Sequence, residues 1–149
     1  MSSEPAAPPI DPEREYVLYC DGAARGNPGP AAAGYVLFDV QGRELFARGD
    51  VLGDRITNNV AEYTALVRGL DLALRFGVRR LLVRMDSELV VRQVRGEYKV
   101  RHPGLKPLFA RVRALLAGLE QFHIEHVPRA ENARADALAN AALDDLRSQ

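Results

Sequence analysis

The chain has 149 residues, twenty Lys or Arg against twenty Asp or Glu, and a single cysteine. That length suits one domain with a substantial core. Zero net charge excludes a uniformly basic coat for nucleic acid, and one cysteine with three scattered histidines excludes an internal disulfide and a structural zinc cluster. No apolar run is long enough to cross a bilayer, and the acidic, proline-rich start MSSEPAAPPIDPERE lacks the form of a signal peptide. A cytoplasmic protein with no membrane partner is expected.

Residues 1–14 hold four prolines and little to bury, and read as a flexible tail before one domain over residues 15–149. Tyr16 to Cys20 is an aromatic and apolar run suited to a buried strand closed by Asp21. Neighbouring strand residues point to opposite faces, so Cys20 is turned away from Asp21 into the core. Gly22 to Ala31 then reads as a small-residue loop that lets another backbone approach. The alternative for Asp21 is a turn in which it bonds a local amide, with Asn27, Pro28 and Gly29 supplying the geometry. Ala33–Asp39 and Glu44–Leu52 read as two further strands joined at Gln41 and Gly42, completing an antiparallel meander. Polar Thr57, Asn58 and Asn59 introduce a helix over Val60–Phe76, stopped by Gly77.

Arg80–Met85 is a short apolar strand after that helix, an order that favours parallel pairing with a right-handed crossover. Asp86–Val94 begins a second helix, Gly96–Pro107 is a basic connection, Leu108–Leu119 a third helix, Phe122–Val127 a fifth strand and Ala133–Leu146 a last helix. The fold class is α/β: a mixed five-stranded sheet, three antiparallel strands plus two parallel, flanked by helices. Charge is unevenly spread. Arg79 to Arg113 carries ten Lys or Arg against Asp86, Glu88 and Glu97, a local charge of +7. Such a half suits a phosphate backbone, or is an ordinary solvated helix face.

Four acids attract attention. Asp21 and Asp86 each follow an apolar strand and would share one sheet edge if those strands are adjacent and parallel; Asp86 alone also suits a helix cap. Glu62 has the spacing of a capping box with Asn59. Asp136 lies beside the apolar stripe of the last helix, where a charge needs a partner or a cation. Converging carboxylates repel, and divalent magnesium, an oxygen-preferring ion, relieves that repulsion.

The segments CDGAARGNPGP, TNNVAEYTAL, RMDSELVV and ENARADALAN, in this order, resemble the type 1 ribonuclease H (ribonuclease HI) family from about Tyr16 to the C-terminus. The resemblance implies a ribonuclease H-like fold and a monomeric endonuclease that cleaves the RNA strand of RNA/DNA hybrids, leaving 5′-phosphate and 3′-hydroxyl ends. It implies two magnesium ions, with manganese as an alternative: Asp21 bridging both, Glu62 and Asp86 on one, Asp136 on the other. It also implies that Gly22, Asn27, Asn58, Asn59 and Gln93 read the minor groove and ribose hydroxyls of the hybrid, and that Lys99 and Arg101 grip the DNA strand. Two departures stand out. Val127–Asp136 lacks the loop histidine of many relatives, with His126 read as structural and Glu131 as its stand-in, and Gly96–Pro107 lacks a longer tryptophan-containing protrusion. The competing functions are a related-fold nuclease on double-stranded RNA or DNA and a non-catalytic nucleic-acid-binding module.

Overall fold

In the computed structural model, which describes residues 10–147, the apolar run after Arg14 forms β1 (Glu15–Ala24) and does not stop at Asp21. Gly22, Ala23 and Ala24 pair with Ala33, Ala32 and Ala31 of β2 (Gly29–Asp39), so most of the expected small-residue loop is ladder and only Arg25–Pro28 turn the chain. Small side chains do not forbid a strand; here they let helices lie close on both faces. β3 (Glu44–Ile56) completes the meander, running four residues past the expected end. β4 (Arg80–Met85) pairs parallel with β1, and β5 (Gln121–His126) parallel with β4, giving the order β3-β2-β1-β4-β5. The mixed five-stranded sheet expected from the sequence is the one present.

Helix starts lie within two residues of those expected from the sequence, and the α1 cap is one of its three expected polar residues. α1 (Asn58–Arg75) is capped by Thr57, whose hydroxyl accepts the Val60 N–H at 3.2 Å, and ends before Gly77 with its positive φ of 97°. α2 (Glu88–Val94) is capped by Ser87, which accepts from Val90 N–H at 3.3 Å. α3 (Lys106–Leu116) starts two residues early because Pro107, missing an N–H, suits a first helical turn. A 3₁₀ turn (Arg129–Asn132) leads into α4 (Ala133–Arg147).

Alternation along β1 divides the core. Tyr16, Leu18 and Cys20 face α1 and join Tyr63, Leu66 and Leu70 in the main cluster; burying a leucine of this kind contributes about 1.5–3 kcal/mol. On the opposite face α4 crosses β1, β2 and β3, where Ala32, Ala139 and Leu143 form a second, smaller cluster. Glycine sets that distance: a Cβ at position 34 would lie 2.0 Å from the Ala135 carbonyl oxygen, and one at position 49 would lie 2.3 Å from that of Leu138. Packing begins before the expected domain start. Ile10 packs against the main core, and Asp11 donates its N–H to the Tyr16 hydroxyl at 2.9 Å, so residues 10–14 form part of the domain; residues 1–9 of the expected tail lie outside the described residues.

Candidate active site

Parallel pairing brings Asp21 and Asp86 to one place. Tyr19 is in register with Arg84, and each acid lies two residues further along its chain, at the C-terminal edge of the sheet. Glu62 arrives from α1 because Gly22 has no side chain: a Cβ there would lie 2.2 Å from the carbonyl carbon of Ala61. Gly22 donates its N–H to Glu62 Oε1, so the capping-box alternative fails; the glutamate reaches across to β1 instead of back along its own helix. Ser87 takes the cap of α2, which frees the Asp86 carboxylate. One oxygen from each of Asp21, Glu62 and Asp86 lies within 4.8 Å of the others.

Asp136 lies outside that group of three but lines the same open cleft, about 440 Å³, with Asp21, Glu62 and Asp86. Its carboxylate accepts from Asn140 Nδ2 at 3.2 Å and faces Arg129 Nη2 at 3.6 Å. Burial first, then the charges of Glu62 and Asp86, push the Asp21 carboxyl well above the usual carboxylate range. Glu62 is also raised, chiefly by burial, although the Gly22 N–H opposes the shift. Among the described residues no Lys or Arg forms an ion pair with Asp21, Glu62 or Asp86. This donor set is all oxygen, largely buried and uncompensated, and it suits a hard divalent cation.

A family model described as reverse transcriptase-like matches residues 19–142. The ribonuclease HI of Halobacterium salinarum is 50% identical over 138 residues, covering 91% of this chain and 69% of that protein. The crystal structure of RNase H1 from the same archaeon superposes with a TM-score of 0.85 over 88% of this chain and 98% of its own. The chain belongs to the ribonuclease HI family. The bifunctional protein Rv2228c of Mycobacterium tuberculosis is 44% identical over 130 residues, 87% of this chain, but the chain spans only 36% of its length. LC11-RNase H1, solved in complex with an RNA/DNA hybrid, is 44% identical with a TM-score of 0.84, covering 88% of this chain and 98% of its own.

The residues expected to contact substrate divide within this ribonuclease HI fold. Gly22, Asn58 and Asn59 line the cleft. Asn27 sits beside it, its Oδ1 accepting the Asn58 N–H at 3.1 Å and tying the β1–β2 turn to α1. Gln93 does not reach it. Val90, Val91 and Val94 place it on the buried side of α2, where it accepts from the Tyr63 hydroxyl at 2.6 Å and donates to the Lys99 carbonyl at 3.3 Å. Gln93 therefore anchors the basic connection, on which Lys99 and Arg101 are exposed away from the cleft lining. His126 is exposed at the end of β5, and Glu131 lines a separate groove with Tyr19, Leu82 and Arg84, so neither replaces a loop histidine in the cleft. Asn132 was not singled out from the sequence. Its buried Nδ2 donates to the Cys20 carbonyl at 2.8 Å and to Asp86 Oδ1 at 3.1 Å, tying β1, at the residue before Asp21, to the third acid.

Proposed function

We propose that the chain hydrolyses the RNA strand of RNA/DNA hybrids in a divalent-cation-dependent reaction, leaving 5′-phosphate and 3′-hydroxyl ends. The observation that carries this reading is the cluster of Asp21, Glu62 and Asp86, none of which is ion-paired to a Lys or Arg among the described residues, in a cleft that Asp136 also lines. The substrate class is supported by the hybrid-bound LC11-RNase H1, similar over 88% of this chain. Since one chain supplies all four acids, a monomer suffices.

Asp21, Glu62 and Asp86 would hold one magnesium or manganese ion, and Asp21 with Asp136 a second. Bound there, such ions offset carboxylate charge, lower the pKa of water and stabilise the charge that builds on a departing oxygen. This chain's own residues prepare the site. Gly22 fixes the Glu62 rotamer through its N–H, and Asn132 fixes that of Asp86. Asn58 and Asn59 bring amides to the cleft in the first turn of α1, where they meet the 2′-hydroxyl that distinguishes RNA from DNA and where the helix N-terminus favours phosphate. Lys99 and Arg101 hold phosphates of the DNA strand by charge alone.

The test is one cleavage assay with magnesium on labelled hybrid, RNA duplex and DNA duplex, repeated with Asp21→Asn. RNA fragments from the hybrid alone, lost in the variant, are expected. Equal cutting of RNA duplex would replace the substrate class, and salt-dependent binding with no cutting would leave a binding module.

A further inference from the structure

Helix α4 presents Asp136, Asn140 and Asp144 at intervals of four, along one face. Asn140 is an unfavourable residue inside a helix, since its side chain competes for backbone partners. Here both ends of its amide are occupied. Nδ2 donates to the Asp136 carbonyl at 3.0 Å and to Asp136 Oδ1 at 3.2 Å. At the other end Arg25, in the β1–β2 turn, uses Nη2 to reach Asp144 Oδ1 at 2.7 Å and both Asn140 Oδ1 and the Asn140 carbonyl at 3.4 Å. Asp136, Asn140 and Arg25 all line the cleft.

An asparagine amide is nearly symmetrical in shape and not in chemistry. A donor on one side and a carboxylate on the other admit a single orientation, with NH2 towards Asp136. The other neighbour of Asp136, Arg129, has a side chain 79% exposed and stands at 3.6 Å, so it contributes little orientation. The Arg25–Asp144 pair is itself too exposed to add much stability, with Asp144 at 69%; its effect is to hold the guanidinium beside the amide. We infer that Asn140 is a positioning residue for Asp136, and that Arg25, moored on Asp144, sets the direction of the Asn140 amide. The inference rests on the reading of Asp136 as a functional carboxylate.

The experiment uses the full chain with Asn140→Ala, Arg25→Leu, Arg25→Lys, Asp136→Ala and the Asp136→Ala/Asn140→Ala double variant, each checked for folding by thermal melting. Groups that orient a metal-binding side chain typically change activity by about 10- to 100-fold. Asn140→Ala is expected to lower kcat by about tenfold with little change in KM for hybrid, because the group it acts through serves the transition state. Arg25→Leu should fall in the same direction by less, and Arg25→Lys should recover most of that loss by keeping a donor near Asp144. In the Asp136→Ala background the second substitution should cost nothing further. Without cation or substrate, the side-chain amide NMR signal of Asn140 should move on Asp136→Ala and on Arg25→Leu. Wild-type kcat in Asn140→Ala beside an inactive Asp136→Ala, additive losses in the double variant, or an unmoved amide signal would each overturn the inference. Full cleavage by Asp136→Ala would instead remove Asp136 from the proposed function and take this inference with it.

Discussion

The main-chain N–H of Gly22 donates to the carboxylate of Glu62, joining the strand that carries the first acid to the helix that carries the second. A side chain at position 22 would strike the α1 backbone, 2.2 Å from Ala61 carbon and 2.3 Å from the Glu62 nitrogen. Backbone cannot rotate aside, so Gly22→Ala is expected to cost about 1–3 kcal/mol of stability. It should also reduce hybrid cleavage more than tenfold, a rough figure for a displaced reacting group. Urea unfolding and steady-state kinetics measure both; a variant with the parent midpoint and rate would show that α1 need not touch β1 here.

Asp21 is held at the expense of stability. Burial and the neighbouring acids raise its folded pKa, and Glu62 is raised in the same sense. In the window above the unfolded carboxylate range, about 4, the native state retains protons that the unfolded state releases. The stabilisation these groups contribute is therefore full below that range and is lost as pH rises through the raised folded values. With chelator present, the Tm of the parent chain should be higher near pH 5.5 than near pH 8 by several degrees, roughly 2–4 °C for each kcal/mol at this size. Asp21→Asn should abolish cleavage, raise Tm at pH 8 and flatten the slope, and magnesium should raise Tm most at pH 8 in the parent chain. A Tm in chelator that climbs with pH and ignores Asp21→Asn would contradict this account.

Asn132 ties Cys20 to Asp86 from a position that is 1% exposed. Asn132→Leu leaves a buried carbonyl without its donor, which costs about 1–3 kcal/mol, and leaves Asp86 free to rotate. Lower denaturant midpoints together with weaker magnesium binding by calorimetry are expected. Loss of stability with unchanged cation affinity would confine Asn132 to a packing role.

Lys99 and Arg101 are exposed on the basic connection and lie outside the cleft. Removing both charges should weaken hybrid binding, lower the salt slope of log K by about one for each residue and leave kcat nearly unchanged at saturation. Binding measured across a salt series distinguishes this from a loss of specific contacts, which would leave the slope intact.

Much of this was legible because strand periodicity and apolar runs are local. Tyr16–Cys20 and Arg80–Met85 announced two parallel strands, and an acid after each gave the site edge. Thr57 is among the three polar residues expected to cap α1, whereas the α2 cap is Ser87, one residue past Asp86, because backbone angles, not composition, choose among adjacent capping residues. The resemblance assigns Gln93 to the minor groove of the hybrid, although the valines around it are a sign that its side of α2 is buried. For Asn132 there was no local sign at all: its partners are 112 and 46 residues away. Asp136 was identified by its awkward place beside an apolar stripe, but sequence could not tell that it stands apart from the other three.

That separation follows from how α4 is seated. Three acids are carried by β1, by α1 and by the residue just after β4, while the fourth rides on a helix whose distance from the sheet is fixed by main-chain contact at Gly34 and Gly49. Side chains can adopt other rotamers, but two backbones in contact have no such freedom. The width of the cleft is therefore a mechanical property of the sheet–helix junction, independent of the chemistry that happens inside it. A methyl group at position 34 would act as a shim against Ala135, shifting α4 and the acid it carries relative to the sheet.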